Sequence, residues 1–208
     1  MSAASISYRD SIRWLPEEAS EPTQTIVLTA KNGVFLDVRF HKESGKLDWA
    51  FAGYRSSLEP NSTKFTHHID SRTLNPLEVV DVGTNTPLAN GMTLEAGEMV
   101  NPATGSLTKY EEVWRDVAAA DALFVRNRTS SVWRARVGRW QLALGRSLPE
   151  AECWAWQAER GLGEAQWTRR YSTEMSDEGV YLPEDCTGWE VGATVKWLGE
   201  SWEVLVHD

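Results

Sequence analysis

The sequence predicts an all-β protein: two small antiparallel barrels of the calycin or lipocalin type in tandem, the first over residues 1–120 and the second over 121–208. Three observations predict it. Short strand-like runs recur at roughly 8–12-residue spacing between turn signals, the pattern of sandwiches and barrels. No segment sustains the 3.6-residue apolar period of a long helix. Eleven tryptophans, eight of them after Val132, stand at strand-like spacings. Each buries a large flat area with few rotatable bonds, so together they wall a small β body.

The elements follow in order. Thr25–Ala30 is a β-branched run, and Asn32-Gly33 is a two-residue hairpin signal. Val34–His41 alternates, with Val34, Leu36, Val38 and Phe40 on one face and Asp37 and Arg39 on the other. Lys42–Lys46 turns the chain into Leu47–Tyr54, which places Leu47, Trp49 and Phe51 on one side. Phe65–Thr73 reads as a further strand. Residues 74–107 are rich in Pro, Gly, Asn and Thr, with short β pieces at Glu78–Val82 and Met92–Leu94. Thr108–Val117 reads as a strand, although its Glu content and the following Ala-rich stretch also suit a helical turn. From Leu123 the pattern restarts with Leu123–Asn127, Trp133–Val137, Trp140–Leu144, Glu152–Gln157, Gln166–Tyr171, Thr194–Leu198 and Ser201–His207. Gly138-Arg139 and Leu198-Gly-Glu200 are their tight connections. An internal echo, Asp48-Trp-Ala-Phe-Ala52 against Cys153-Trp-Ala-Trp-Gln157, hints at duplication.

Composition narrows the function classes. A net charge of −9 and a pI near 5.0 disfavour nucleic acid, whose phosphates need a basic footprint. The basic runs Arg126/Arg128, Arg134/Arg136/Arg139 and Arg169/Arg170 read as the wet faces of strands. The first residues have no apolar stretch of signal-peptide type, and no run approaches the ~18 apolar residues of a membrane helix. Two cysteines, Cys153 and Cys186, then read as free thiols, and the cytoplasm is the expected compartment, with no membrane partner.

Several strings stand in a fixed order along the chain: Arg9-Asp-Ser-Ile-Arg-Trp14, Glu21-Pro-Thr23, Asp48-Trp-Ala-Phe-Ala-Gly53, Thr66-His67, Asp70-Ser-Arg-Thr73 and Met99-Val-Asn-Pro-Ala-Thr-Gly105. Tyr110-Glu-Glu112, Trp114-Arg-Asp116, Ala135-Arg-Val-Gly-Arg-Trp-Gln-Leu-Ala-Leu-Gly145 and Thr168-Arg-Arg170 follow. The ensemble resembles a fungal family named after a yeast protein that interacts with a casein kinase. The resemblance spans nearly the whole chain and implies two calycin-like barrels. It implies a kinase-interacting adaptor or, in a branch recruited to secondary metabolism, a hetero-Diels–Alderase joining tropolone-derived quinone methides to macrocyclic terpenes. Compact loops such as Lys42–Lys46 lean toward that specialised branch.

The chemically densest stretch is Thr66–Arg72. As a regular strand it projects His68, Asp70 and Arg72 from one face, and His67, Ile69 and Ser71 from the other. A histidine, a carboxylate and a guanidinium on one face are candidate catalytic groups, able to bind a polar oxygen and move a proton. On an outer face the same residues are a solvated ion pair. A metal is disfavoured, since the adjacent His67 and His68 point oppositely and no Cys pair or His-x-His is present. Nucleophile elbows, phosphate loops and dinucleotide fingerprints are missing, so no cofactor is expected. Trp14, Trp49, Phe51, Tyr54, His67, Tyr110 and Trp114 are the candidate walls of a site for a hydrophobic or aromatic small molecule. Three functions fit: a cofactor-free cyclase, an adaptor for a kinase or a homodimer partner, and a hydrophobic-metabolite carrier. The acidic Glu17, Glu18 and Glu21 suit a basic partner or a solvated linker.

Overall fold

The computed structural model describes residues 3–58, 60–147, 152–173 and 180–208. Its first half holds strands β1 (Ala4–Trp14), β2 (Thr23–Thr29), β3 (Val34–His41), β4 (Leu47–Leu58), β5 (Ser62–Asp70), β6 (Val82–Pro87), β7 (Thr93–Val100) and β8 (Leu107–Ala119). They form a closed antiparallel barrel in sequence order, β8 pairing with β1 from Ala4↔Ala119 to Trp14↔Tyr110. Closure removes every sheet edge. The second half holds β9 (Ala122–Asn127), β10 (Val132–Val137), β11 (Trp140–Arg146), β12 (Cys153–Glu159), β13 (Thr168–Ser172), β14 (Thr194–Trp197) and β15 (Glu200–His207). These make a seven-stranded sheet, ordered β13-β12-β11-β10-β9-β15-β14. The all-β class and the tandem of antiparallel units are as the sequence predicts. The closed barrel is the first unit, and in the second the edge strands β13 and β14 are not bonded to each other.

Several boundaries differ from the sequence reading. β1 is absent from it, because a bulge between Arg9 and Ser11 breaks the alternation that marks a strand. The stretch Glu78–Val82 is instead a 3-10 turn at Pro76–Glu78 followed by β6 from Val82. The helical alternative after Thr108 does not arise, since β8 runs on to Ala119. The echoed strings lie on β4 and β12, the fourth strand of each half, and both turn their first tryptophan away from the face shared by the two units.

The packing inverts the usual barrel. Ile6, Ile26, Leu28, Leu36, Val38, Phe40, Ala50, Ala52 and Ile69 point out of the barrel wall and meet Phe124, Trp133, Ala135, Trp140, Leu142, Leu144 and Leu205 of the second sheet. At about 1.5–3 kcal/mol for each large side chain, this shared layer is the main apolar core. With its greasy face covered from outside, the barrel turns polar side chains inward. Asp37 and Arg39, which a lone β3 would show to water, are 2% and 7% exposed. The far face of the second sheet has its own core, where Leu123, Val125, Trp202 and Val204 pack against Leu182 and Cys186. There Arg134, expected on a wet face, is 1% exposed, with its guanidinium over the rings of Trp154, Trp156, Trp197 and Trp202 at 5.5–5.8 Å. Cys153 and Cys186 are both free. Among the described residues no helix is long and apolar enough to cross a membrane.

Candidate functional site

The barrel encloses a cavity of about 230 Å³. Its mouth lies where the lining turns exposed, at Arg55 and Asp116 with the half-buried Thr93 and Asn85. Its walls are Phe51, Phe65, Met99 and Trp114, and its floor is Asp37, Arg39, Asp81, Glu95, Tyr110 and Glu112. Two glycines shape that floor. A Cβ at Gly83 would sit 2.4 Å from Glu95 Oε1, and one at Gly97 would sit 2.7 Å from the Tyr110 hydroxyl. Both positions must stay bare for the acid and the phenol to turn inward.

The floor is a charge network. Arg39 donates to both oxygens of Asp37, with Nη2 to Oδ2 at 2.7 Å, and from Nη1 to Glu112 Oε1 at 3.3 Å. Arg9 donates to the same Glu112 oxygen, to Glu21 at 2.8 Å and to the Thr23 hydroxyl at 2.6 Å. Glu21 is therefore a structural partner of the barrel rather than part of a solvated linker. Burial opposes the charge on Arg39, but Asp37 and Glu112 outweigh it and hold the guanidinium pKa above its usual value. Glu95 differs. It accepts a hydrogen bond from the Tyr110 hydroxyl at 3.0 Å, and among the described residues no cation is bonded to it. Burial first, then the charges of Glu112 and Asp81, push its carboxyl pKa up to about 8, so it is mostly protonated at neutral pH. Burial and the same acids raise the Tyr110 phenol too.

Behind the floor His67 bridges two carboxylates, Nδ1 to Asp70 at 2.8 Å and Nε2 to Asp81 at 3.0 Å. Both ring nitrogens can donate only in the imidazolium form. Burial works against that charge, but the hydrogen bonds to Asp70 and Asp81 prevail and raise the pKa. The imidazole stacks on Phe51 at 4.3 Å, and Asp70 also accepts from Trp49 Nε1 at 2.9 Å.

The ten residues singled out in the sequence thus scatter. Phe51, Tyr110 and Trp114 line the cavity. His67, Asp70 and Trp49 lie behind its floor. The expected common face of His68, Asp70 and Arg72 does not form, because a bulge on β5 between Ile69 and His67 shifts the register against Ala52 and Gly53. His68 and Ile69 both turn outward, and Asp70 returns to the interior beside His67. His68 packs between Tyr54 and Trp133 at the seam of the two units, and burial lowers its pKa. Tyr54 belongs to that seam as well. Arg72 is exposed, stacked over Trp49 at 4.5 Å and paired with Asp48 at 2.9 Å. Trp14 is half-buried, edge-on to Tyr110. A signal for the bulge was present: a Cβ at Gly53 would lie 1.9 Å from the Thr66 carbonyl oxygen, and a glycine inside a strand marks such close approaches. Sequence reasoning missed Arg9, Arg39, Asp37, Asp81, Glu95 and Glu112. Among the described residues no cluster of three or more His, Cys, Asp or Glu is placed to hold a metal ion.

Comparison with known proteins gives the same architecture. The crystal structure of the uncharacterized protein YLR301w from Saccharomyces cerevisiae superposes with a TM-score of 0.79 over 99% of each chain, at 16% sequence identity, which shows the fold alone. No curated protein sequence matches the chain. The family model described as Protein HRI1 matches residues 5–205. The polar barrel and its covering sheet are therefore those of an HRI1 protein, and this chain belongs to that family.

Proposed function

We propose that this chain is a binding barrel for one compact, flat, polar small molecule. The observation that carries the reading is the enclosed cavity of about 230 Å³, with aromatic walls and a hydrogen-bonding floor. Ligand sites usually measure about 300–1,000 Å³, bury most of the ligand and combine apolar walls with a few placed polar groups. This one sits just under that range and suits a single ring system rather than a lipid. Thr93 at the mouth gives a direct test. In Thr93→Trp the indole should plug the opening and leave the core intact. A panel of compact aromatic alcohols, amines and ketones, followed by ligand-observed NMR, should bind the wild type and lose at least tenfold in affinity for the variant. Equal binding to both would move the site elsewhere.

A second reading, the cyclase, is favoured by the protonated Glu95, which faces the cavity opposite Glu112 on the neighbouring strand. A carboxyl kept neutral by its surroundings can serve as a general acid. In dehydration of a hydroxymethyl-tropolone, Glu95 would give its proton to the departing hydroxyl. Water then leaves with the C–O electron pair, and the ring hydroxyl returns a proton to the Glu95 carboxylate, leaving a quinone methide. A macrocyclic alkene would have to meet it at the mouth, since the cavity holds one ring-sized reactant. Glu95→Gln should then cut adduct formation from tropolone and humulene-type alkene by about 10²-fold or more, the usual worth of a general acid. Adduct at the protein-free rate in the wild type would end the cyclase reading and leave the binding one standing.

A further inference from the structure

We propose that the barrel cavity is a receptor for a small flat organic cation: an aromatic amine that also carries a hydrogen-bond acceptor, its ammonium among Glu95, Asp81 and Glu112 and its acceptor on Trp114 and Thr29. This rests on the reading of the cavity as a ligand site and names the ligand's class.

Charge is the first argument. The lining carries five acids, Asp37, Asp81, Glu95, Glu112 and Asp116, against two cations. Of those cations Arg39 is held by Asp37 and Glu112, and Arg55 stands exposed at the mouth. Behind the floor Arg9 bonds Glu112 and His67 bonds Asp81, while Glu21 and Asp70 add two further acids. The cluster therefore keeps an excess of negative charge even with Glu95 protonated, and Arg39 is the cation that acts on Glu95. An anionic guest would add to that repulsion, whereas a cation would relieve it. The walls agree, since Phe65 and Trp114 line the cavity and aromatic faces attract cations through their ring quadrupoles.

Independent evidence comes from unspent hydrogen-bonding groups. Among the described residues Trp114 Nε1 and Thr29 Oγ1 find no hydrogen-bond partner, although both residues line the cavity and are more than nine-tenths buried. Buried donors left unpaired are unfavourable, and the indole N–H can only donate. A guest with a carbonyl or hydroxyl oxygen at its second end satisfies them, whereas a pure hydrocarbon leaves them bare.

A consequence separates this cation from a neutral guest. An ammonium beside Glu95 favours the carboxylate, so binding near neutral pH expels a proton from a group that holds one in the empty barrel. Isothermal titration with three probes of one size tests it: 4-hydroxyphenethylamine, its neutral alcohol 4-(2-hydroxyethyl)phenol, and 3-(4-hydroxyphenyl)propanoate. Titrated at pH 7 in phosphate and in Tris, the amine should bind at least tenfold tighter than the alcohol, and the propanoate weakest. The heat for the amine should depend on the buffer, reporting up to about one proton released, and this needs no variant. Glu95→Gln should abolish the proton release, and Trp114→Phe should weaken amine and alcohol alike. An alcohol or carboxylate that binds as well as the amine overturns the cation and leaves the cavity reading intact. Binding of none of the three removes both.

Discussion

Replacing Glu112 by alanine is expected to destabilise the protein by about 3–5 kcal/mol, the range for breaking a buried ion pair from one side. Glu112 is 3% exposed and its Oε1 accepts from both Arg9 and Arg39. Without it two buried guanidiniums share the floor, each reduced to one carboxylate, Glu21 for Arg9 and Asp37 for Arg39. A loss of that size is a large fraction of the 5–15 kcal/mol that holds a typical domain together. The contrast is Lys31 with Asp208, a pair 3.3 Å apart at the surface whose loss should cost under about 1 kcal/mol. Urea midpoints of Glu112→Ala and Lys31→Ala settle which interaction matters. The double variant Glu112→Ala/Arg39→Met should lose still more, because it leaves the buried Asp37 carboxylate without the cation that pairs with it. Equal midpoints for the two single variants would mean that water reaches the floor and screens it.

That network was invisible in the sequence for a physical reason. Alternation in Val34–His41 correctly separates Val34, Leu36, Val38 and Phe40 from Asp37 and Arg39, but period two says nothing about which face is covered. The apolar face is buried by the second sheet, a partner more than 80 residues away in the chain, so the polar face becomes the interior. The same ambiguity misplaced Arg134, which reads as a wet-face cation and lies inside a ring of tryptophans. Bulges account for the rest. One hid β1, and one turned His68 away from Asp70, since a single extra residue flips every later side chain to the other face. What was legible were local features: hairpins at Asn32-Gly33 and Leu198-Gly199, the tryptophan-bearing strands, and the restart near Leu123. Of the candidate site, Phe51, Tyr110 and Trp114 were found because aromatics announce themselves. Glu95 and Glu112 look like any acid on a strand until the β7–β8 hairpin sets them opposite each other and closure of β8 on β1 puts both inside.

Stability is expected to fall by several kcal/mol between mildly acidic and alkaline pH, with Glu95 a main cause beside Asp37, whose carboxyl pKa burial also raises. In the unfolded chain its carboxyl titrates at the ordinary 4.5, and in the barrel at about 8. Between those values the folded state keeps a proton that the unfolded state has released, so unfolding is favoured as pH rises. The contribution is fully present below pH 4.5 and lost as pH climbs through 8, at about 1.4 kcal/mol per unit within the window. His67 acts with the same sign. Its pKa is raised above the ordinary 6.5, so the stability from Asp70 and Asp81 is present below that value and fades as pH rises through the folded pKa. A net charge of −9 adds a diffuse repulsion that also grows with pH, which makes the wild-type profile alone ambiguous. Glu95→Gln resolves it. Glutamine still offers an oxygen to the Tyr110 hydroxyl and changes the net charge by at most one, so it leaves the diffuse term and His67 nearly untouched. The variant should be more stable than the wild type at pH 9 by a few kcal/mol and equal or slightly weaker at pH 5. Thermal or urea unfolding across pH 5–9 reads the difference. Parallel profiles would show that Glu95 is ionised in the folded protein at neutral pH, held by a stronger cationic contact than Arg39 makes with it here.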